Sequence, residues 1–378
     1  MKNFIHLSIL ISFVFWLGGC DRKPDIEPSG KTIKIGIIAP FSGSGHAKGE
    51  EGLSGMVTAR QLQPYLQNGD RIEWIAEDDK NDPALSVQLL KKLVEKDKVS
   101  AIITFSSSDP VLALAKVADN FQTPILAALA THPAITAGNE FISQLCFDDD
   151  FQGTVAALFV RDELLIDKAA VFFKANNSYS QYLAAKFESK FKSIGGEITD
   201  RISLAKETGD LSKTIESMHA KTPELFYLPL SPDDVFRIIR EVRKLGWKPK
   251  MMGSDGLISN MLASYKKELN LAEGLLATDV FAHGMPLTPF GEKIIETHKG
   301  RKTQFAGLGA EAYAILRNAM NQCSDPADRE CVNHQIRSTN NFTGMVGKIA
   351  IGPDGRAQRP LCINSIQNGL SKFIVKVY

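Results

Sequence analysis

The chain has 378 residues, 44% of them apolar, and a formal net charge of +1. That length supports a large core and suggests two domains. The near-balance of 44 basic against 43 acidic side chains argues against nucleic acid as the main partner.

The first element is a leader. Lys2 precedes an apolar stretch from Phe4 to Trp16, broken by His6, Ser8 and Ser12, and then Leu17-Gly18-Gly19-Cys20. This is the basic, apolar and small-residue order of a secretory signal. The apolar run is shorter than the roughly 20 residues a spanning helix needs. The cysteine at the cleavage position resembles a bacterial lipobox. That resemblance implies a signal peptide over residues 1–19, diacylglycerol on Cys20 and a mature chain anchored outside the cytoplasmic membrane. Asp21 resembles the acidic signal that keeps such lipoproteins at the inner membrane. Residues 20–31, polar and proline-bearing, read as a flexible tether.

Strands and helices then alternate. Ile33–Ile38 is a nearly continuous apolar run, as expected of a strand buried on both faces, and Ile72–Ala76, Ala101–Phe105 and Pro124–Ala128 repeat it. Asp82-Pro83 opens an intervening helix as N-cap and first-turn proline, with Val87, Leu90, Leu93 and Val94 as its apolar stripe. A second series starts near Asp150. Its strands are Ala169–Phe173, Glu197–Ile202, Leu225–Leu228 and Lys250–Gly253. Its helices are Tyr179–Ile194, Leu211–Ala220 and Asp233–Leu245, the last stopping at Gly246. Leu275–Val280, a helix at Ala310–Met320 and strands near Val346–Ile351 and Phe373–Val377 complete the chain. The expected fold is α/β, with two doubly wound parallel-sheet lobes. Of five cysteines, four remain once Cys20 is set aside. Cys323 and Cys331 bracket a short polar loop and are expected to pair in an oxidising compartment. Cys146 with Cys362 follows by elimination. No Cys-x-x-Cys accompanies them, so no metal site is expected.

The chemistry of an enzyme is missing. Gly43-Ser44-Gly45-His46-Ala47-Lys48-Gly49 departs by one residue from the dinucleotide fingerprint, and only Glu77 stands near the end of the next strand. No nucleophile elbow, zinc helix or phosphate-cradling lysine loop occurs. No catalytic residue and no cofactor is therefore expected, and His46 and His132 read as loop residues. Small hydroxyl residues do gather after strands: Ser42, Ser106-Ser107-Ser108, and Thr131. Open α/β sheets bind ligands beyond the carboxyl ends of their strands. Hydroxyls and helix N-terminal N–H groups suit a small carboxylate, although helix capping alone would also place them there.

Several segments resemble the leucine/isoleucine/valine-binding protein family, the type I periplasmic binding proteins of ABC importers. They are Ile33-Lys34-Ile35-Gly36-Ile37-Ile38-Ala39-Pro40-Phe41-Ser42-Gly43, Glu77-Asp78-Asp79 with Asp82-Pro83, and Ser106–Ser108. Thr123-Pro124-Ile125-Leu126 and Ala130-Thr131-His132-Pro133 follow, then Asn177-Ser178-Tyr179, Leu245-Gly246-Trp247 and Met252-Gly253-Ser254-Asp255-Gly256. The resemblance spans the whole mature chain and implies two lobes joined by a three-crossover hinge, with ligand in the cleft between them. Residues 32–148 and 280–345 would form lobe one, and 149–279 and 346–378 lobe two.

By the same resemblance Ser108, Thr131 and the backbone of Ala130 would hold an amino acid's carboxylate. Asp255 would take its ammonium, Tyr179 would line the cleft, and Asp149 would sit at the first hinge crossing. Ser42 joins them as a candidate at the end of the first strand. Lys48 stands where the family often has an aromatic residue lining the side-chain pocket. It either faces solvent or enters the cleft, where it would favour a polar or acidic ligand side chain. The partners implied are a small ligand, a membrane permease and, through the lipid, the membrane, with the protein itself a monomer. A sensor lipoprotein contacting another envelope protein is the competing reading, and a secreted hydrolase the third.

Overall fold

A computed structural model describes residues 26–43, 45–204, 211–300 and 302–378. The leader and Cys20 lie outside the described residues. Of the expected tether, Ser29–Lys31 docks on the body: Ser29 N donates to Gly69 O at 2.9 Å, Arg71 N donates to Lys31 O at 2.9 Å and Ser29 Oγ donates to Asp70 Oδ1 at 2.5 Å.

The first sheet contains β1 (Thr32–Ala39), β2 (Arg71–Asp78), β3 (Ile102–Thr104), β4 (Ile125–Ala127) and β5 (Ile142–Gln144) in the order β2-β1-β3-β4-β5. All are parallel. Between them run α1 (His46–Leu62), α2 (Pro83–Glu95) and α3 (Ser108–Phe121). Asp82 caps α2 as expected, its side chain accepting from Leu85 N. Leu90, Leu93 and Val94 of α2 and Val111 and Leu114 of α3 bury one face of the sheet.

The chain then crosses to the second sheet through α4 (Asp149–Leu158). There follow β6 (Lys168–Phe173), α5 (Ser178–Ser193), β7 (Glu197–Ser203), α6 (Leu211–His219), β8 (Leu225–Leu228), α7 (Pro232–Lys244), β9 (Lys250–Gly253), α8 (Leu257–Ser264) and β10 (Leu276–Asp279). The second crossing leads to α9 (Pro289–Thr297), α10 (Gln304–Asn321) and α11 (Arg329–Arg337), with α10 lying along α1 on the other face of the first sheet. A small antiparallel sheet of β11 (Phe342–Thr343), β12 (Lys348–Ile351) and β13 (Ala357–Gln358) comes next. The third crossing returns β14 (Leu361–Gln367) and β15 (Leu370–Val377) to the second sheet, whose order is β15-β14-β10-β9-β8-β6-β7. The molecule is thus two α/β lobes linked by three crossings.

Two details differ from expectation. The strand near Val346–Ile351 joins the small sheet, not a lobe sheet. The second sheet is also mixed, because β14 and β15 run antiparallel. Asn368 and Gly369 both have positive φ, 53° and 71°, the geometry of a two-residue hairpin that only an antiparallel pair can use.

Cys323 and Cys331 are disulfide-bonded. Cys146 and Cys362 are not, and both are buried free thiols. Parity alone did not require a second bond. Each sits in the apolar core, where cysteine packs as a small hydrophobe, and burial pushes both thiols well up from their ordinary range.

Candidate functional site

The carboxyl ends of the strands in both sheets face a cleft of about 530 Å³, within the roughly 300–1,000 Å³ usual for small-ligand sites. Each lobe supplies a different chemistry.

On the first lobe, β3 ends in three serines with three fates. Ser106 is buried and donates to Asp79 Oδ2. Ser107 is the N-cap position of α3, but its side chain makes no capping bond. Ser108 is the first residue of the helix, 2% exposed at the cleft wall. The loop after β4 brings Ala130 and Thr131 to the same wall. Gln144 Nε2 holds that loop by donating to Ala130 O at 2.9 Å.

On the second lobe, Asp255 follows β9 and Tyr179 stands in the first turn of α5. The Tyr179 hydroxyl donates to Asp255 Oδ1 at 2.7 Å and lies 2.6 Å from Ser254 Oγ. Gln152 Nε2 donates to Asp255 Oδ1 at 2.9 Å, and Gln152 Oε1 accepts from Asp255 N at 2.9 Å. Burial raises the Asp255 carboxyl, opposed by these hydrogen bonds and by the charge of Lys48. Burial, with Asp255 nearby, also drives the Tyr179 hydroxyl well up, so it stays a donor.

Lys48, in the first turn of α1, is half-buried and points into the cleft rather than to solvent. Its Nζ donates to Ser107 Oγ at 2.8 Å. Burial lowers its pKa and Asp255 partly restores it.

Six candidates from the sequence, Lys48, Ser108, Ala130, Thr131, Tyr179 and Asp255, therefore line one cleft. Ser42 does not. It is exposed, and its hydroxyl donates to Asp78 Oδ2 at 2.6 Å, because the β1–β2 register sets Ala39 beside Asp78. Asp149 lies behind the wall, fully buried. Its N–H donates to Thr131 O at 2.9 Å, and Gln152 Nε2 donates to its Oδ1 at 3.1 Å. Sequence reasoning named Ser107 only as part of the hydroxyl cluster after β3 and did not single out Gln152 or Ser254 as site residues. Gln152 carried one signal, its position one helical turn after Asp149.

The arrangement can pair both ends of a zwitterion: hydroxyls and the N-terminus of α3 on one side, an acid on the other. Among the described residues no cluster of His, Cys, Asp or Glu could hold a metal ion.

The sequence and the fold both have known counterparts. A family model described as periplasmic binding protein matches residues 32–370. The chain is 25% identical over 371 residues to the Leu/Ile/Val-binding protein homolog 2 of Brucella abortus, covering 94% of this chain and 93% of that one. It is 23% identical over 289 residues to an amino acid binding protein of Pseudomonas aeruginosa, covering 76% of each. The crystal structure of a leucine binding protein from Thermotoga maritima matches with a TM-score of 0.84 at 27% identity, covering 91% of this chain and 98% of that one.

Proposed function

Because the chain belongs to the periplasmic binding protein family, alongside the leucine/isoleucine/valine-binding proteins and among solute binders that do no chemistry, we propose that it captures an amino acid in the cleft and delivers it to the permease of an ABC transporter. It does so outside the cytoplasmic membrane, held there by lipid on Cys20, as a monomer. Residues 32–148 with 280–345, and 149–279 with 346–378, are the two lobes that close on the ligand, except that the stretch through Gln358 goes with the first lobe, because Gly355 O accepts from Gln144 N and Ile351 N donates to Thr339 O.

The observation that carries this reading is the opposition of Ser108 and Thr131 to Asp255 across one cleft. An unpaired charge taken out of water costs several kcal/mol. An amino acid therefore needs a partner at each end, and neither lobe supplies both. Contacts that exist only when both lobes engage are what let a ligand stabilise the closed form.

Thermal unfolding of the purified protein against a panel of amino acids, amides and small carboxylates tests it. A ligand at about a hundred times its dissociation constant adds ~2.7 kcal/mol, read as a raised melting temperature. Asp255→Ala is expected to weaken an amino-acid hit by about thirtyfold or more, since removing one partner of a desolvated charge pair costs ~2–5 kcal/mol. A hit confined to carboxylates without an amine overturns the role of Asp255. Silence across the panel overturns the reading and favours a protein partner.

A further inference from the structure

We propose that the cleft selects an amino acid with a second anionic group, a side-chain carboxylate held by Lys48 Nζ together with Ser107 Oγ and Asn81. This rests on the amino-acid reading above and names the ligand class for that same site.

Three separate features converge on one corner of the cleft. The first is an uncompensated cation. Lys48 Nζ bonds a neutral hydroxyl, Ser107 Oγ, and among the described residues no carboxylate lies within ion-pair distance of it. Lys174, the other lysine lining the cleft, is already paired with Asp234 at 2.7 Å. Asp255 is the acid whose charge Lys48 feels, but that carboxylate is engaged by Tyr179 and Gln152.

The second feature is the backbone. Lys48 sits in the first turn of α1, which has no acidic residue in that turn and no side-chain cap on its N-terminus. A cation there opposes the helix dipole, whereas an anion would complement it. An anion beside Lys48 therefore meets both a side-chain charge and the positive end of a 17-residue helix.

The third is a set of linked donors at the same corner of the cleft. Ser107 is the N-cap of α3, yet its hydroxyl makes no capping bond. It accepts from Lys48, which leaves its own proton to donate. Asn81 also lines the cleft. Its Oδ1 accepts from Ser107 N at 2.9 Å, which assigns that atom as oxygen and leaves the Nδ2 protons to donate. The Asn81 backbone is left-handed, φ 60°, and Asp79 Oδ1 fixes it by accepting from Asn81 N at 2.8 Å. Lys48, Ser107 and Asn81 thus form a donor group distinct from Ser108 and Thr131, which would face the α-carboxylate. Charged partners of this kind form the stronger hydrogen bonds.

The test is calorimetric titration of the full-length protein with L-glutamate, L-aspartate, L-glutamine and L-leucine. Glutamate or aspartate is expected to bind about tenfold or more tightly than either neutral ligand, as a charge-assisted hydrogen bond is worth ~1.5–3 kcal/mol. Lys48→Met, close in length and without the charge, should remove that margin while leaving glutamine within about threefold. Lys48→Gln serves as the second variant should Lys48→Met not fold. Tighter binding of leucine than of glutamate would overturn the inference and leave the amino-acid reading standing. Equal loss of acidic and neutral ligands in the variant would also overturn it, since Lys48 would then be serving the α-carboxylate. Binding of none of the four, with no other amino acid raising the melting temperature, would remove the amino-acid reading itself and this inference with it.

Discussion

Gln152 joins two acids through one amide. Its Nε2 donates to Asp149 Oδ1 at 3.1 Å and to Asp255 Oδ1 at 2.9 Å, while its Oε1 accepts from Asp255 N at 2.9 Å and Thr278 Oγ1 at 2.6 Å. The two carboxyls are not equivalent. Burial and then the Asp255 charge raise Asp149 well above the ordinary range, and its Oδ2 is buried without a hydrogen-bond partner. Asp255 is raised less, because hydrogen bonds and Lys48 offset its burial. Environments that separate two neighbouring pKa values assign their roles. Asp149 keeps its proton the longer, and Asp255 presents the single negative charge. A proton held more tightly when folded has a consequence for stability. Between the unfolded value of about 3.9 and the raised folded value, the native state binds more protons than the unfolded one, so stability falls as pH rises. Asp149→Asn should match the wild type near pH ~4 and gain on it steadily toward neutral pH. Urea unfolding midpoints across that range check this, and parallel profiles for the two proteins would contradict it.

Helices α1 and α10 carry the cleft's first wall against the lobe core, and they meet backbone to backbone. A Cβ placed on Gly55 of α1 would fall on the carbonyl of Ala306, and one on Gly309 of α10 would fall on the carbonyl of Gly52. Gly309→Val should therefore force the helices apart, costing about 2–3 kcal/mol as other overpacked cores do. A shift in the denaturant midpoint with unchanged slope is the expected result. A loss below about 0.5 kcal/mol, the range of a neutral surface change, would mean the pair is not so close. This contact also explains what the sequence concealed. The buried residues of α1 are Ala47, Gly49, Glu51, Gly52, Gly55, Met56, Thr58 and Ala59, too poor in large apolar side chains to show a helical stripe. Helix α10 begins at Gln304, ahead of the expected Ala310; its opening turns bury Phe305, Ala306 and Leu308 together with Gln304, Gly307 and Gly309, and the glutamine and glycines hide the stripe. Short β5 buries Ser143 and Gln144 and reads as polar. By contrast β8 was legible to the residue as a wholly buried apolar run, and β9 as the short Lys250–Gly253 stretch before a turn. The cleft followed the same logic. Loop residues after strands were readable, whereas Gln152 meets Asp255 only through the fold, 103 positions away. The direction of Lys48 depends on how α1 docks, which no local pattern encodes.

The hinge and the cleft mouth divide the work of closure. Near the hinge, the Arg359 guanidinium binds Glu311 of α10 through both terminal nitrogens, at 2.8 and 3.2 Å, and donates to Leu145 O at 3.2 Å. All of it is buried, so the first and third crossings are tied to one lobe. At the mouth the two lobes touch each other directly. The Asp109 carboxylate on α3 accepts from Asn177 Nδ2 and Ser178 N, each at 3.1 Å, and from the Ser178 hydroxyl. It sits at the N-terminus of α5, where the dipole favours an anion. His132 and Tyr182 pack across the same gap with ring centroids 4.7 Å apart and planes tilted by 54°. Contacts made only when the lobes are shut bias the open–closed equilibrium before ligand arrives, and apparent affinity scales with the closed fraction. Asp109 is not among the residues lining the cleft. Asp109→Ala should thus weaken any ligand by about tenfold or more, through faster dissociation, as a charged hydrogen bond of ~1.5–3 kcal/mol is lost from the closed state alone. Small-angle scattering should show the ligand-free variant more expanded than the wild type and the two ligand-bound forms alike. Unchanged affinity with identical ligand-free scattering would mean that Asp109 follows closure and does not favour it.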